Sequence, residues 1–136
     1  MDFKIALRAK KERTVIVNHN QTTSFLWEGE NVFSTPSMIS EMEETCRLLL
    51  KEQFLNSNEW DSVGTLVNIK HIAATPVGAE IKLSAETISI QDRRILFKVS
   101  AKDKLEVIGE GEHERFVINI PRFKENFYQK VKKLND

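Results

Sequence analysis

An α+β domain in which one long helix is wrapped by a curved antiparallel sheet is the fold class predicted for this 136-residue chain. Three features predict it: a glycine-free amphipathic stretch near the middle, a run of long alternating segments after it, and turn signals between those segments at meander spacing. Lys plus Arg and Asp plus Glu each number 20, so the net charge is zero. That balance argues against a dedicated nucleic-acid binder, whose affinity depends on neutralising phosphates. The single cysteine, Cys46, excludes an internal disulfide framework and suits a reducing compartment. Charges at positions 2, 4, 8, 10, 11, 12 and 13 leave no apolar signal segment. No apolar run approaches the roughly 18–20 residues of a membrane span. The expectation is one domain over residues 1–136, acting in the cytoplasm.

The N-terminal part offers two extended stretches, residues 4–10 and 14–18, and His19 falls in the polar turn NHNQTT. The helix follows. Ser34-Thr35-Pro36 is a start signal, with Thr35 placed to cap and Pro36 suited to the first turn, where its missing N–H is not needed. From Pro36 to about Leu55 there is no glycine and no second proline. At 100° per residue, Met38, Ile39, Met42, Cys46, Leu49, Leu50 and Phe54 gather into one apolar arc. Glu41 and Glu44 fall outside that arc. Glu43 falls inside it, where a carboxylate is costly unless paired or neutralised. A boundary glutamate reaching out along Arg47 is the plain explanation, and an acid–base site is the other.

Four strands are expected after the helix. Residues 63–75 run to Pro76, with Val63, Thr65, Val67, Ile69, His71 and Ala73 on the more apolar face. A core-facing imidazole must find a partner or cost about 1–3 kcal/mol. His71 is thus a second in-facing titratable group, and paired groups with opposing environments are what acid–base chemistry needs. Residues 79–90 place Ile81, Leu83, Ala85 and Thr87 inward, and residues 91–94 form a hairpin connection. Ile95, Phe97, Val99 and Ala101 alternate next. Residues 105–120 carry Glu110, Glu112 and Glu114 on a solvated face. Phe123, Phe127, Val131 and Leu134 at helical spacing predict a C-terminal helix docked on the body. One helix covers only part of such a sheet, so the sheet should curve around it and pair with a second copy along an edge. That architecture is the hotdog fold, and a homodimer is expected.

The segments VFSTPSMISEMEETC, VGTLVNIKHIAATPVGAEIKLSAE and VSAKDKLEVIGEGEHERFVI resemble the fluoroacetyl-CoA thioesterase-like family of hotdog acyl-CoA thioesterases. The motifs H-x-A-A-T-P-x-G, S-A-x-D and I-G-x-G-x-H-E-R occur in that order. The resemblance implies a catalytic set of Thr35, Glu43 and His71, assisted by Gly64. The chain departs from the family just before Val32, where Phe25, Leu26, Trp27 and Gly29 replace the phenylalanines that cover the acyl pocket. That favours an ordinary small or medium acyl-CoA over the fluoroacetyl ester. Trp27 and Phe33 are expected to bind the acyl group. No metal is implied, since the three histidines lack ligand spacing, and no cofactor beyond the coenzyme A of the substrate. His113, Glu114 and Arg115 read as structural, Cys46 as core. The C-terminal lysines could meet coenzyme A phosphates, though a docked helix is favoured. The competing readings are a hotdog enoyl-CoA hydratase and a non-catalytic domain that binds acyl-CoA.

Overall fold

The computed structural model describes residues 4–136. Its order is β1 (Lys10–Ile16), a 3₁₀ turn (His19–Gln21), β2 (Thr22–Thr23), β3 (Val32–Phe33), α1 (Thr35–Lys51), β4 (Trp60–His71), β5 (Glu80–Gln91), β6 (Arg94–Lys102), β7 (Val107–Asn119) and α2 (Ile120–Leu134). Five strands make one antiparallel sheet in the order β1-β5-β6-β7-β4, while β2 and β3 pair separately. The long alternating segments thus form the sheet, and α1 is the helix that packs across it.

The core lies between α1 and the inward face of the sheet. Met38, Met42, Cys46, Leu49 and Leu50 from the helix are buried with Ile81, Leu83, Ile95, Phe97, Val99 and Val117. The predicted apolar arc is therefore the buried face, with Ile39 at its margin. Contact is close at Gly109, where an added Cβ would lie 2.5 Å from Met38 Sδ. At the β5–β6 turn, Asp92 takes a φ of 61° in the left-handed region that aspartate tolerates.

Three features differ from the sequence-based expectations. First, the N-terminal part, expected to add one or two strands at residues 4–10 and 14–18, holds a single strand before the 3₁₀ turn, with the different bounds Lys10–Ile16. Arg8 adopts a φ of 64°, which breaks the extended run before Lys10. Second, β4 does not keep one parity along its length. Gly64 pairs with Arg115 and Leu66 with Glu114, so Thr65 is an extra residue in a β-bulge. Trp60, Ser62 and Gly64 share a face before the bulge, while Val67, Ile69 and His71 share it after. Val63 and Thr65, expected to face inward with His71, do not align with it.

Third, α2 forms but does not dock on its own chain. It follows β7 directly, none of its residues is buried, and its tertiary contacts run chiefly to β7. Pro121 and the cap from Asn119 to Arg122 N set its start. The apolar spacing was sufficient to predict a helix but not where its apolar side would lie. Among the described residues, no helix is long and apolar enough to cross a membrane.

Candidate active site

The start of α1 meets the end of β4. Ser34, not Thr35, is the N-cap: its Oγ accepts the Ser37 N–H at 3.2 Å. Thr35 is the first helical residue, and its hydroxyl is released for another contact. Thr35 Oγ1 lies 2.7 Å from His71 Nδ1. The other ring nitrogen, His71 Nε2, is buried and has no hydrogen-bond partner. Burial lowers the His71 pKa below the usual histidine value, partly offset by the backbone of Ala73, so the imidazole is neutral at pH 7. The pair opens on a cleft of about 290 Å³ whose lining includes Phe25, Leu26, Phe33 and Ile72.

Glu43 belongs to a second cluster. A Cβ at Gly64 would lie 3.1 Å from His113 Cε1, 3.6 Å from Arg115 Nη1 and 3.6 Å from Glu43 Oε2. The missing side chain at Gly64 is what leaves room for these three groups. Arg115 is fixed by Nε–H and Nη2–H bonds to Ser62 Oγ and Ser62 O, each 2.7 Å. His113 Nδ1 faces the Leu66 carbonyl at 2.8 Å, so it carries the proton. His113 Nε2 is then the acceptor for Arg115 Nη1 at 3.1 Å. Burial holds the His113 pKa low, with Arg115 acting in the same direction and Leu66 and Glu43 against it. Burial likewise pulls the Arg115 guanidinium down, opposed by Cys46, Glu43 and Asp61. A neutral histidine and a buried cation thus sit beside the Glu43 carboxylate.

Arg47 does not hold Glu43. It pairs with Glu44 at 3.0 Å and with Asp61 at 2.8 Å. Glu41 takes Arg13 and Gln21. The two neighbouring glutamates therefore have partners of their own on the outside of the helix, and Glu43 is left to the Gly64 cluster.

Of the residues singled out from sequence, the structure groups Thr35, His71 and Phe33 around one cleft, and Glu43 with Gly64 around another point. The two groups are apart within one chain. Glu43 lies eight positions along the helix from Thr35, about 12 Å of rise. Gly64 and His71 stand about 20 Å apart along β4. Trp27 is not among the cleft residues: its Nε1–H donates to Glu30 Oε2 at 3.1 Å, and Phe25 and Leu26 stand at the cleft instead. His113 and Arg115, read from sequence as structural, lie against Gly64 and Glu43. The signal for them was the cross-strand position of Arg115 opposite Gly64, which the bulge at Thr65 conceals from simple alternation.

The family model for the fluoroacetyl-CoA-specific thioesterase matches residues 17–121. The chain belongs to that family. A fluoroacetyl-CoA thioesterase from Streptantibioticus cattleyicolor is 38% identical over 104 residues, 76% of this chain and 73% of the relative. A solved fluoroacetyl-CoA thioesterase structure superposes with a TM-score of 0.83 at 30% identity, covering 93% of this chain and 98% of that one. A Thermus thermophilus thioesterase superfamily member gives a TM-score of 0.86 at 21% identity, covering 97% of each chain, which bears on the fold alone. The fold is the hotdog fold.

Proposed function

We propose that this protein is an acyl-CoA thioesterase that hydrolyses small or medium acyl-CoA esters to the free acid and coenzyme A. The observation that carries the reading is the Thr35–His71 pair at the N-terminus of α1, with Nε2 of the imidazole unpartnered. Thr35 occupies Nδ1, so Nε2 is the ring nitrogen left without a partner, and a substrate reaches it only if the surrounding side chains give way. The α1 N-terminus adds the Thr35 amide and a partial positive charge, which favour an oxyanion. The carboxylate of Glu43 supplies the anionic partner, either attacking the thioester carbonyl or taking a proton from the water that does. The carbonyl carbon gains an oxygen, the C–S bond breaks, and the thiolate leaves with a proton; where Glu43 is the attacking group, water then cleaves the acyl anhydride it forms, releasing the acid and restoring the carboxylate. No cofactor enters these steps, since coenzyme A arrives as part of the substrate. The apolar residues at the cleft, Phe25, Leu26, Phe33 and Ile72, suit an uncharged acyl chain.

The separation of Glu43 from His71 within one chain supports a homodimer. Among the described residues β4 is an edge strand paired with β7 alone, and Leu66 and Val67 at its middle are 46% and 44% exposed. Two copies related by a twofold axis can pair such an edge only antiparallel. That arrangement sets the Gly64 end of one β4 beside the His71 end of the other. Each active site would then take Glu43 and Gly64 from one copy and Thr35 and His71 from its partner. The lone buried Cys46 suits a reducing compartment such as the cytoplasm.

Thiol release from a panel of short, branched and aromatic acyl-CoAs tests the activity, and subunit mixing tests the shared site. Glu43→Gln and His71→Ala should each be nearly inactive alone. Random mixing makes half the dimers hybrids, each with one intact site, so activity should recover to about a quarter of wild type. A mixture as inactive as its components would rule out the shared site, and wild-type protein that releases no thiol would rule out the activity.

A further inference from the structure

Helix α2 presents an apolar surface that the described residues leave largely uncovered. At 100° per residue, Ile120, Phe123, Phe127, Val131 and Leu134 fall within an arc of about 80°. Phe127 is 54% exposed and Leu134 73% exposed. An isolated helix of about 15 residues is marginal in water, because nucleation is costly and packing supplies most helical stability. A bare stripe of this length points to a surface that receives it.

We infer that the apolar stripe of α2 docks on a second copy of this chain, across the β4 edge. The inference rests on the dimer reading above. The root of α2 lies at that edge: Ile120 N–H donates to the carbonyl of Glu59, the residue just before β4, at 2.7 Å. If Gly64 of one copy stands level with His71 of the other, antiparallel register sets Glu59 level with Pro76 of the second copy. The end of β4 there exposes apolar side chains. Ile72 and Val77 are solvent-facing, and Phe25 lies close by on the cleft.

Charge agrees with this occupant. Helix α2 carries Arg122, Lys124, Lys130, Lys132 and Lys133 against Glu125 alone. The whole chain is neutral, so the remainder holds the balancing acidic excess. The loop that precedes β3, whose Phe25 and Leu26 line the cleft, also carries Glu28 and Glu30. A basic arm on an acidic body favours encounter between copies of this same chain.

The test is sedimentation equilibrium on the full chain, wild type against the double variant Phe123→Asp/Phe127→Asp, with Gln129→Asp on the opposite side of the helix as control. Circular dichroism at the same concentrations reports whether α2 and the sheet stay folded. Both phenylalanines are outside the core, so the fold should persist. The double variant should weaken the dimer about tenfold or more, as expected for removal of aromatic anchors, and the control should match wild type. Equal association of wild type and double variant would overturn the inference. So would a wild-type protein that stays monomeric yet co-sediments through α2 with phosphatidylglycerol vesicles, since the stripe would then belong to an anionic lipid surface. Thiol release by the wild type is read separately: its absence would overturn the thioesterase reading whatever α2 does, and an active wild-type dimer indifferent to the double variant would overturn only the α2 contact.

Discussion

Thr35 and His71 lie 36 residues apart in sequence and 2.7 Å apart in space, joined Oγ1 to Nδ1. The contact ties the first turn of the long helix to the last residue of the edge strand. It also fixes the ring, so that one nitrogen is occupied and the other is directed elsewhere. His71→Ala should lower kcat by about 10²–10⁴, the usual scale for loss of a proton-transfer group. Thr35→Ser, which keeps the hydroxyl, should retain far more activity than Thr35→Ala. Steady-state kinetics with one good acyl-CoA would separate these outcomes.

The pH response follows from the same ring. Burial lowers the His71 pKa, so the neutral, active form persists below the ordinary histidine value of 6.5. The rate should therefore hold through pH 6.5 and fall only at lower pH. Stability moves in the same sense. His71 and the buried His113 both bind protons less readily folded than unfolded, so stability is kept above pH 6.5 and lost as pH falls below it. Thermal melts from pH 7.5 to 5 should show a falling Tm, and His113→Gln should flatten part of that slope.

Glu43 and Glu44 are neighbours with different surroundings. Glu43 reaches the space over Gly64, while Glu44 bonds Arg47 on the outside of the helix. Glu43→Gln should lower kcat by about 10²–10⁴ without loss of fold, and Glu44→Gln should be nearly silent. The Glu43→Gln/His71→Ala double variant should lose much less than the product of the single effects, because groups that act together are not additive. Full activity in folded Glu43→Gln protein would remove the carboxylate from the mechanism.

Two glycines separate activity from folding. A methyl at Gly64 would meet His113 Cε1 at 3.1 Å, so Gly64→Ala should crowd the Glu43 cluster and reduce turnover with a modest drop in Tm. A methyl at Gly111 would overlap the Asn68 carbonyl of the paired strand, which cannot swing away as a side chain can. Gly111→Ala should therefore destabilise by about 1–3 kcal/mol or more, the scale of overpacking in a close-packed interior. Chemical denaturation measured beside kcat would resolve the two.

The thiol of Cys46 should be inert. It is buried, and desolvation pushes its pKa up to about 12, so almost no thiolate exists at neutral pH. Ellman's reagent should find no reactive thiol in native protein and one per chain in denaturant. A rapid native reaction would mean that the helix–sheet core opens at Cys46.

Much of the fold was legible because the signals were local and repeated. The apolar arc of α1 and the alternation in β5 and β6 each have a single solution, and the structure buries Met42, Leu50, Leu83 and Phe97 accordingly. Glu43 stood out for the same reason, as a carboxylate at a position where the arc is apolar. What the sequence could not disclose depends on events between elements. Which of Ser34 and Thr35 caps the helix is decided by what else each hydroxyl can reach, and Thr35 reaches His71. The roles of His113 and Arg115 depend on cross-strand register. Whether α2 packs back on the sheet depends on the direction in which the chain leaves β7.

The extra residue at Thr65 sets the phase of the edge strand. Upstream of it the even-numbered residues turn toward the helix, and downstream the odd-numbered ones do. Gly64 and His71, one even and one odd, can both look inward only because the count slips once between them. Straightening the bulge while keeping Thr65 in the ladder would act as a frame error within a protein of unchanged composition. Every residue on one side of Thr65 would then rotate half a turn relative to the other, taking either the glycine or the imidazole out of the interior. Two chemical groups are thus kept in step by a residue that belongs to neither, and any transplantation of this strand into another sheet must carry that offset with it.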